Sequence, residues 1–299
     1  MHRAQHLERR TRRRAPPQSV RMMVRSLLLL STVHAFQRQL RTLRAASRCF
    51  ASRDAFLLSS FSEGVLGNAD VAALLREAVE DKAGDGTIKL AFIPTASYAL
   101  RRTSVRTPGV QRQRSRRDAK QKRDRIVDFF GGPERCEAVT LDLWDSSLKH
   151  VSAAAPPAAG ADALGAWDPS LVVVDGGNTF WLRHCMEDWL AALRDSAAVY
   201  VGVSAGSICA GKHVDTALWK GWDDPDVVEP TDWAAAPGLD LADGTSFFPH
   251  YGDEWAGLVA EKREPRHEPL VCLDEAGAFV VPKEGAARYV PPPAGGLND

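Results

Sequence analysis

One stretch decides the fold, Val199-Tyr-Val-Gly-Val-Ser204-Ala-Gly-Ser-Ile-Cys-Ala-Gly211. A β-forming run leads directly into a Gly-x-Ser-x-Gly turn, and small residues that favour a helix follow it. A serine on so sharp a turn has strained backbone angles, so its neighbours must be very small. The hydroxyl of Ser204 would then project above the edge of a sheet, and the N–H of Ala205 would face a carbonyl under attack. This context favours a catalytic serine over a glycine turn kept for packing, whereas Ser207, one turn into the helix, is expected to bond the backbone.

A second strand–turn–helix pattern lies upstream, where Leu171–Val174 is followed by Asp175-Gly176-Gly177-Asn178. Paired glycines let backbone N–H groups approach an oxyanion closely. The same turn is equally consistent with a plain connection in which Asn178 or Thr179 caps the next helix. Neither glycine-rich nucleotide-binding pattern is present, so a nucleotide site is disfavoured.

Short apolar runs alternate with helical patterns around these two turns. This alternation predicts an α/β fold, a doubly wound and mostly parallel sheet with helices on both faces. The further predicted strands are Ala55–Ser59, Ile88–Pro94 and Ala138–Leu143, and Thr245–Pro249 reads as an apolar strand that ends at Pro-His. The predicted helices are Ala69–Lys82, Arg114–Phe130 and Thr179–Asp195, and the Ala/Pro/Gly-rich segment Ser152–Gly165 is predicted to be a loop.

Charge is segregated along the chain. Residues 1–53 carry thirteen arginines, no lysine and one acid, Glu8, whereas residues 54–299 carry 25 basic and 37 acidic side chains. The Arg- and Ser-rich leader is typical of a mitochondrial or plastid transit peptide, with a signal-like apolar run at Ser26–Phe36. A disordered basic tail or a wrongly assigned start codon are the alternatives. We therefore predict a leader, 1–53, and one α/β domain, 54–299.

Composition excludes several classes of function. The acidic body argues against nucleic acid as a partner, and the basic stretch Arg101–Arg125 has no interleaved aromatic side chains for base stacking. The apolar run of the leader is too short to span a bilayer stably. Five scattered cysteines without CxxC spacing argue against a disulfide framework or a structural zinc site. No metal or cofactor is expected, and the chain is expected to be a monomer or a homodimer.

A serine nucleophile needs a general base, most often histidine, and an acid that orients it. Of eight histidines, His250 lies at the end of the apolar run Thr245–Pro249, and strand ends are where α/β active sites form. Glu275 lies in a tight turn between two β-like runs and is the candidate acid. Asp274 beside it is the alternative.

Taken together, these segments resemble peptidase family S51, which contains the aspartyl dipeptidases (peptidase E) and the cyanophycinases. The resemblance covers about residues 55–285 and rests on five segments in order, Phe92–Ala96, Asp175–Phe180, Gly202–Gly206, Phe248–Tyr251 and Leu273–Gly277. It implies a flavodoxin-like fold, similar to class I glutamine amidotransferases. It also implies a Ser-His-Glu triad of Ser204, His250 and Glu275, an oxyanion hole formed by Ala205 with Gly176 or Gly177, and substrate contacts from Asn178 and Asp224.

One departure concerns specificity. Where the bacterial dipeptidases carry an arginine after the nucleophile helix, this chain has Asp215, which is expected to repel a substrate carboxylate. Arg101 and Arg102 are expected to supply the positive charge instead. The leading hypothesis is a serine dipeptidase that hydrolyses short peptides, with N-terminal Asp as a candidate specificity. The alternatives are an α/β serine esterase, whose triad order is Ser-acid-His, and an inactive homologue that binds small peptides.

Overall fold

The central feature of the computed structural model is an eight-stranded sheet in the order β10-β9-β1-β6-β5-β2-β3-β4. The structure describes residues 53–145, 147–150, 162–229 and 231–294. The strands of this sheet are β1 Ala55–Leu58, β2 Ile88–Ile93, β3 Cys136–Asp142, β4 Ser147–His150, β5 Leu171–Val174, β6 Val199–Val203, β9 Ala278–Val281 and β10 Arg288–Val290. A separate parallel pair is formed by β7 Ser246–Phe248 and β8 Leu270–Cys272.

Five adjacent strands of the sheet, β1, β6, β5, β2 and β3, run parallel. Strands β4, β9 and β10 lie at the two edges and make antiparallel pairs with their neighbours. Successive residues of each central strand enter opposite hydrophobic clusters, as Leu57 and Phe56 or Val174 and Val173 do. A strand buried on both faces must be apolar throughout, which explains the unbroken apolar runs of β5 and β6. The predicted mostly parallel, doubly wound α/β fold is confirmed.

Seven α-helices occur in the described residues, and most of them flank the sheet. They are α1 Ala69–Ala83, α2 Pro108–Phe129, α3 Asp162–Trp167, α4 Thr179–Cys185, α5 Leu190–Asp195, α6 Ala205–Ala210 and α7 Ala256–Lys262. Helices α1 and α2 pack on one face through residues such as Leu75 and Ile126, and α4 to α6 pack on the other through residues such as Phe180 and Ile208.

Two predicted helices and one predicted loop need correction. Helix α2 begins six residues before Arg114, because Thr107 caps it and Pro108 occupies its first turn, where proline is favoured. The single helix predicted over Thr179–Asp195 is divided into α4 and α5 by a 3-10 turn at Glu187–Trp189. The end of the predicted loop Ser152–Gly165 belongs to α3.

Two sequence predictions lie largely outside the described residues. They concern residues 152–161 of the predicted loop and residues 1–52 of the predicted leader. Arg53, the last residue of that leader, is described and buried, and its guanidinium donates hydrogen bonds to the carbonyls of Leu193 and Ser196 at 2.5 and 3.0 Å. None of the described helices is both long and apolar enough to cross a bilayer.

The parallel strands bring their carboxyl ends to one edge of the sheet. Ser59 follows β1, Pro94 follows β2, Asp175 follows β5 and Ser204 follows β6. In open α/β sheets ligands bind outside these carboxyl ends. The two glycine turns recognised in the sequence therefore lie side by side at this edge.

Candidate active site

Ser204 lies on a strained turn between β6 and α6. Its φ and ψ angles are 51° and −108°, values that cost a non-glycine residue about 1–3 kcal/mol. A Cβ on Gly206 would lie 2.1 Å from the carbonyl oxygen of Val174, and one on Gly202 would lie 2.7 Å from that of Gly206. The packing of α6 against β5 thus requires glycine at 206, and the tight turn itself requires glycine at 202, as the Gly-x-Ser-x-Gly pattern predicts.

His250 connects Ser204 to Glu275. Its Nε2 lies 2.9 Å from Ser204 Oγ, and its Nδ1 lies 2.6 Å from Glu275 Oε1. A carboxylate only accepts hydrogen bonds, so it holds the proton on Nδ1 and leaves Nε2 to accept from the serine hydroxyl. The structure brings together the three residues that the sequence singled out, and Glu275, not the alternative Asp274, contacts the imidazole.

Ser207, the competing serine, is fully buried in α6. Its hydroxyl lies 2.7 Å from the carbonyl oxygens of both Leu58 and Gly202, and it accepts the N–H of Leu58 at 2.9 Å. The expectation that this hydroxyl bonds the backbone is confirmed, so Ser207 is a structural residue.

The backbone of His250 is itself in the left-handed region, with φ at 55°. Its N–H donates to Ser59 Oγ at 2.7 Å, and that hydroxyl donates to the carbonyl of Leu273 at 2.8 Å. Ser59 therefore ties the end of β1 to the segments that carry His250 and Glu275. Sequence reasoning missed this residue, although its position at the carboxyl end of a predicted strand was a usable signal.

Lys220 binds the backbone of His250 on the carbonyl side. Its Nζ donates to the carbonyls of Pro249 and His250 at 3.0 and 2.5 Å. The ammonium lies 4.3–4.6 Å from the ring centroids of Trp222, Phe248 and Trp255. Burial lowers the pKa of Lys220 to about 8, with Glu254 and Glu275 acting in the opposite direction. No pattern in the sequence indicated this residue.

The Gly176–Gly177 turn lies against Ser204. A Cβ on Gly176 would be 3.0 Å from Ser204 Cβ, and one on Gly177, whose φ is 146°, would be 2.4 Å from the carbonyl of Ala96. Among the described residues, no acceptor receives the backbone N–H of Gly176, Gly177 or Ala205. These three predicted groups are therefore available to a ligand oxygen beside the serine.

Asp175, which begins this turn, is buried and pairs with Lys122 of α2 at 2.7 Å. The ion pair joins the glycine turn to α2 across the cavity. In the sequence Asp175 stands out only as part of the glycine turn, and no pattern indicates its partner.

Two residues expected to contact substrate, Asn178 and Asp224, make contacts within the protein instead. Asn178 caps α4 by accepting the N–H of Trp181 at 2.8 Å, and its amide donates to the carbonyl of Asp224 at 2.9 Å. The Asp224 carboxylate accepts the N–H of Asp226 at 3.0 Å. Neither side chain lines the cavity described below.

Asp223, beside Asp224, is a carboxylate that interacts electrostatically with His250. It accepts the N–H of Thr179 at 2.9 Å, at the start of α4. Burial raises the pKa of Asp223, and hydrogen bonding to Thr179 and the charge of His250 act against that rise. Like Asp224, Asp223 does not line the cavity described below.

Ser204, His250, Glu275 and the glycine turn open into a cavity of about 760 Å³. Arg101, one of the two arginines expected to supply a positive charge, lines this cavity. Arg102 does not line it, and lies 3.8 Å from Asp226 on the surface instead. Of the two predicted arginines, only Arg101 is therefore positioned to meet a ligand.

The prediction that Asp215 repels a substrate carboxylate is wrong. Asp215 is 3% exposed, lies 2.6 Å from the guanidinium of Arg266 and 3.1 Å from Nε2 of His267, and does not line the cavity. A buried carboxylate needs such partners, so this aspartate stabilises the packing of the 3-10 turn Asp215–Leu218. Its charge is compensated locally and does not face a substrate.

No cluster of three or more His, Cys, Asp or Glu side chains with metal-binding geometry occurs in the described part of the chain. The four described cysteines are free thiols. Burial raises the pKa of Cys209, which lies closest to the nucleophile turn, to about 12, so this thiol stays protonated at neutral pH.

Comparison with known proteins finds one family model and a similar solved structure. The family model described as Peptidase family S51 matches residues 140–288, a range that contains Ser204, His250 and Glu275. A crystal structure of a candidate peptidase E protein from Listeria monocytogenes EGD-e is 17% identical and covers 80% of this chain and 98% of its own, with a TM-score of 0.49. No curated protein sequence matches the chain.

Proposed function

Because the chain belongs to peptidase family S51, we propose that it is a serine dipeptidase acting through Ser204, His250 and Glu275. One observation carries the proposal: His250 is hydrogen-bonded to the serine through one ring nitrogen and to the glutamate through the other, at 2.9 and 2.6 Å. Nucleophile, base and orienting acid in hydrogen-bond reach are the arrangement that acyl transfer requires.

In this mechanism Ser204 Oγ attacks the peptide carbonyl while His250 Nε2 accepts its proton. Glu275 stabilises the imidazolium that forms and keeps the ring oriented. The N–H of Ala205, with that of Gly176 or Gly177, binds the negative charge that develops on the carbonyl oxygen. His250 then returns the proton to the leaving amine, and water hydrolyses the acyl-enzyme by the same steps in reverse.

Arg101 is the cation that we propose for a substrate carboxylate, such as the side chain of an N-terminal Asp. A guanidinium binds a carboxylate through two parallel hydrogen bonds, which gives geometric specificity as well as attraction. The local neutralisation of Asp215 by Arg266 removes the repulsion that would have opposed this specificity.

The test uses the purified full chain with a fluorophosphonate probe and four substrates, Asp-Leu, Ala-Leu, Arg-Leu and a neutral acyl ester. We expect labelling and dipeptide hydrolysis, and Ser204→Ala should abolish both, with a loss of about 10⁴–10⁶ in rate. Ser115→Ala is the matched control, because Ser115 lines the same cavity without contacting His250.

Other outcomes distinguish the alternatives. Labelling with turnover of the ester alone would identify an esterase. Absence of labelling, with tight binding of an unhydrolysed dipeptide, would identify an inactive peptide-binding homologue. Near wild-type turnover by Ser204→Ala would contradict the assignment of the nucleophile.

A further inference from the structure

One wall of the cavity that contains Ser204 is basic. Helix α2 turns a single face to the cavity, since its charged lining residues Arg114, Asp118, Lys122 and Arg125 recur at spacings of four, four and three. The loop before α2 adds Arg101 and Arg106. We call these five residues, Arg101, Arg106, Arg114, Lys122 and Arg125, the basic wall. One carboxylate, Asp118, lies among them on the same helix face.

The loop that carries Arg101 and Arg106 is anchored to α2. The Gln111 side chain accepts the N–H of Arg101 at 2.9 Å and donates to the carbonyl of Arg106 at 3.0 Å. Thr107 also caps the helix that follows. One glutamine thus fixes both ends of the loop and positions its two arginines at the cavity.

The cations of the basic wall differ from their neighbours in pairing. Lys122 pairs with Asp175, and Lys120 and Arg123 outside the wall pair with Asp124. In the described part of the chain, no carboxylate lies within ion-pair distance of the other four wall residues, Arg101, Arg106, Arg114 and Arg125. The other carboxylates at the cavity, Asp175 and Glu275, are already paired. The wall therefore has an excess of positive charge that nothing in these ranges neutralises.

We propose that the basic wall binds the side-chain carboxylates of an acidic peptide, so that preferred substrates carry two or more acidic residues near the bond that is cleaved. This inference rests on the proposed peptidase function and extends it beyond recognition of a single carboxylate by Arg101. The cavity, at about 760 Å³, lies within the range of roughly 300–1,000 Å³ that holds drug-sized ligands. It has room for more than one residue beside the nucleophile.

The wall residues are exposed, so each contact with a carboxylate is weak and sensitive to salt. Several such contacts made by one peptide act together. The expected signature is a preference that grows with the number of acidic residues and falls as ionic strength rises.

The test compares tetrapeptides that differ only in carboxylates against amides. One pair, Asp-Leu-Glu-Glu and Asp-Leu-Gln-Gln, places the charges after a candidate bond. The other pair, Glu-Glu-Asp-Leu and Gln-Gln-Asp-Leu, places them before it. In the full chain at low salt, we expect kcat/KM for the acidic member of at least one pair to exceed that of its partner by about tenfold or more.

Matched variants locate the effect. Arg106→Gln with Arg114→Gln should lower the acid-to-amide ratio of kcat/KM about fivefold or more. Arg112→Gln with Arg117→Gln removes the same charge from α2 at positions that do not line the cavity, and should leave the acid-to-amide ratio unchanged. A ratio near one in both wild-type pairs, or equal losses in the two double variants, would overturn the inference.

A binding measurement separates this inference from the proposed function. Fluorescein-labelled Asp-Leu-Glu-Glu and Asp-Leu-Gln-Gln are titrated with the Ser204→Ala chain, in which no turnover is needed. Tighter binding of the acidic peptide supports the basic wall even if the wild-type chain fails to hydrolyse or label. Equal binding of the two peptides, or tighter binding of a single-stranded oligonucleotide than of the acidic peptide, counts against it.

Discussion

At the scale of single residues, the orientation of His250 is the most heavily constrained feature of the site. A left-handed backbone costs a histidine about 1–2 kcal/mol, and here Ser59 and Lys220 hold it by hydrogen bonds to its N–H and its carbonyl. The aim of the imidazole at Ser204 therefore depends on groups that do no chemistry themselves. Among them Lys220 is the only one that carries a charge.

Lys220 makes the pH dependence testable. We expect kcat to fall above about pH 8 in the wild type, because the ammonium that binds both carbonyls loses its proton there. Lys220→Arg keeps a charge and should move this alkaline limb to higher pH. Lys220→Met should lower kcat about tenfold or more at every pH and remove the limb, since small misplacements of a catalytic group are costly.

Loss of stability would not produce that limb. The pKa of Lys220 is lower in the folded chain than the ordinary value of 10.5, so between about pH 8 and 10.5 the unfolded chain binds more protons at this group. The contribution of Lys220 to stability therefore rises with pH across that window. Thermal unfolding measured at each pH should show no loss from this group, and Lys262→Met, a surface control, should keep the wild-type profile. An unchanged limb in Lys220→Arg would contradict the role assigned to Lys220.

The residues that the sequence predicted and those that it missed differ in kind. Ser204 and the two glycines were predictable because the turn geometry is local and demands small residues in a short pattern. Ser59 lies 191 positions from His250 in the sequence and Lys220 lies 30 positions from it, so both contact His250 only after the chain has folded. Such contacts leave no periodicity or motif in the sequence.

At the scale of elements, the site is made by two strand–turn–helix units packed edge to edge. The turn after β5 supplies Gly176 and Gly177, the turn after β6 supplies Ser204, and Gly206 is the point at which α6 meets β5. The close approach places the backbone N–H groups of both turns beside the serine. A side chain at Gly206 would push the two units apart.

Gly206→Ala tests this packing. The new Cβ would lie 2.1 Å from the carbonyl oxygen of Val174, so we expect the free energy of unfolding to fall by about 1–3 kcal/mol and activity to fall as well. Gly257→Ala is the matched control, because its Cβ would meet nothing within 4 Å on helix α7. That variant should be neutral or gain up to about 1 kcal/mol from helix propensity. Urea denaturation measures both, and equal effects would show that the contact at Gly206 is not limiting.

The elements that the sequence mispredicted lie where a local signal has two meanings. Pro108-Gly109 reads as a flexible turn, yet proline in a first turn after a threonine cap begins α2. The apolar pattern of Thr179–Asp195 continues through Glu187–Trp189, where the helix nevertheless breaks. The short edge strands β4 and β10 were not predicted, because an edge strand pairs on one side and needs no continuous apolar run. The central strands, buried on both faces, carried the clear signal.

At the scale of the whole molecule, charge divides the chain into a basic leader and an acidic body. The excess of twelve acids in residues 54–299 coexists with the basic wall of the cavity, so the local field at the site opposes the net charge of the body. An acidic peptide would therefore be attracted by the basic wall at short range. Contacts between exposed charges weaken as salt is added, so this attraction should fall as ionic strength rises.

Arg53 indicates how a shortened chain should begin. Its guanidinium is buried against the end of α5, with two hydrogen bonds to backbone carbonyls. Arg53→Ala in the full chain should lower the free energy of unfolding by about 1–3 kcal/mol, because buried acceptors lose a charged donor. Chemical denaturation measures the change, with Arg76→Ala, at an exposed hydrogen bond of α1, as the control. No loss of stability in Arg53→Ala would show that this residue is not part of the folded body.

The leader gives the last prediction. We propose that residues 1–53 direct import into a plastid or mitochondrion, since thirteen arginines and one acid in this length are typical of transit peptides. A fluorescent protein fused after residues 1–53 should accumulate in an organelle, and replacement of the arginines of residues 38–48 by glutamine should leave it in the cytosol. Removal of residues 1–52 should leave kcat/KM for Asp-Leu unchanged, because every group proposed for catalysis lies beyond residue 53. A diffuse cytosolic fusion would contradict import, and lost activity of the shortened chain would show that the leader contributes to the folded enzyme.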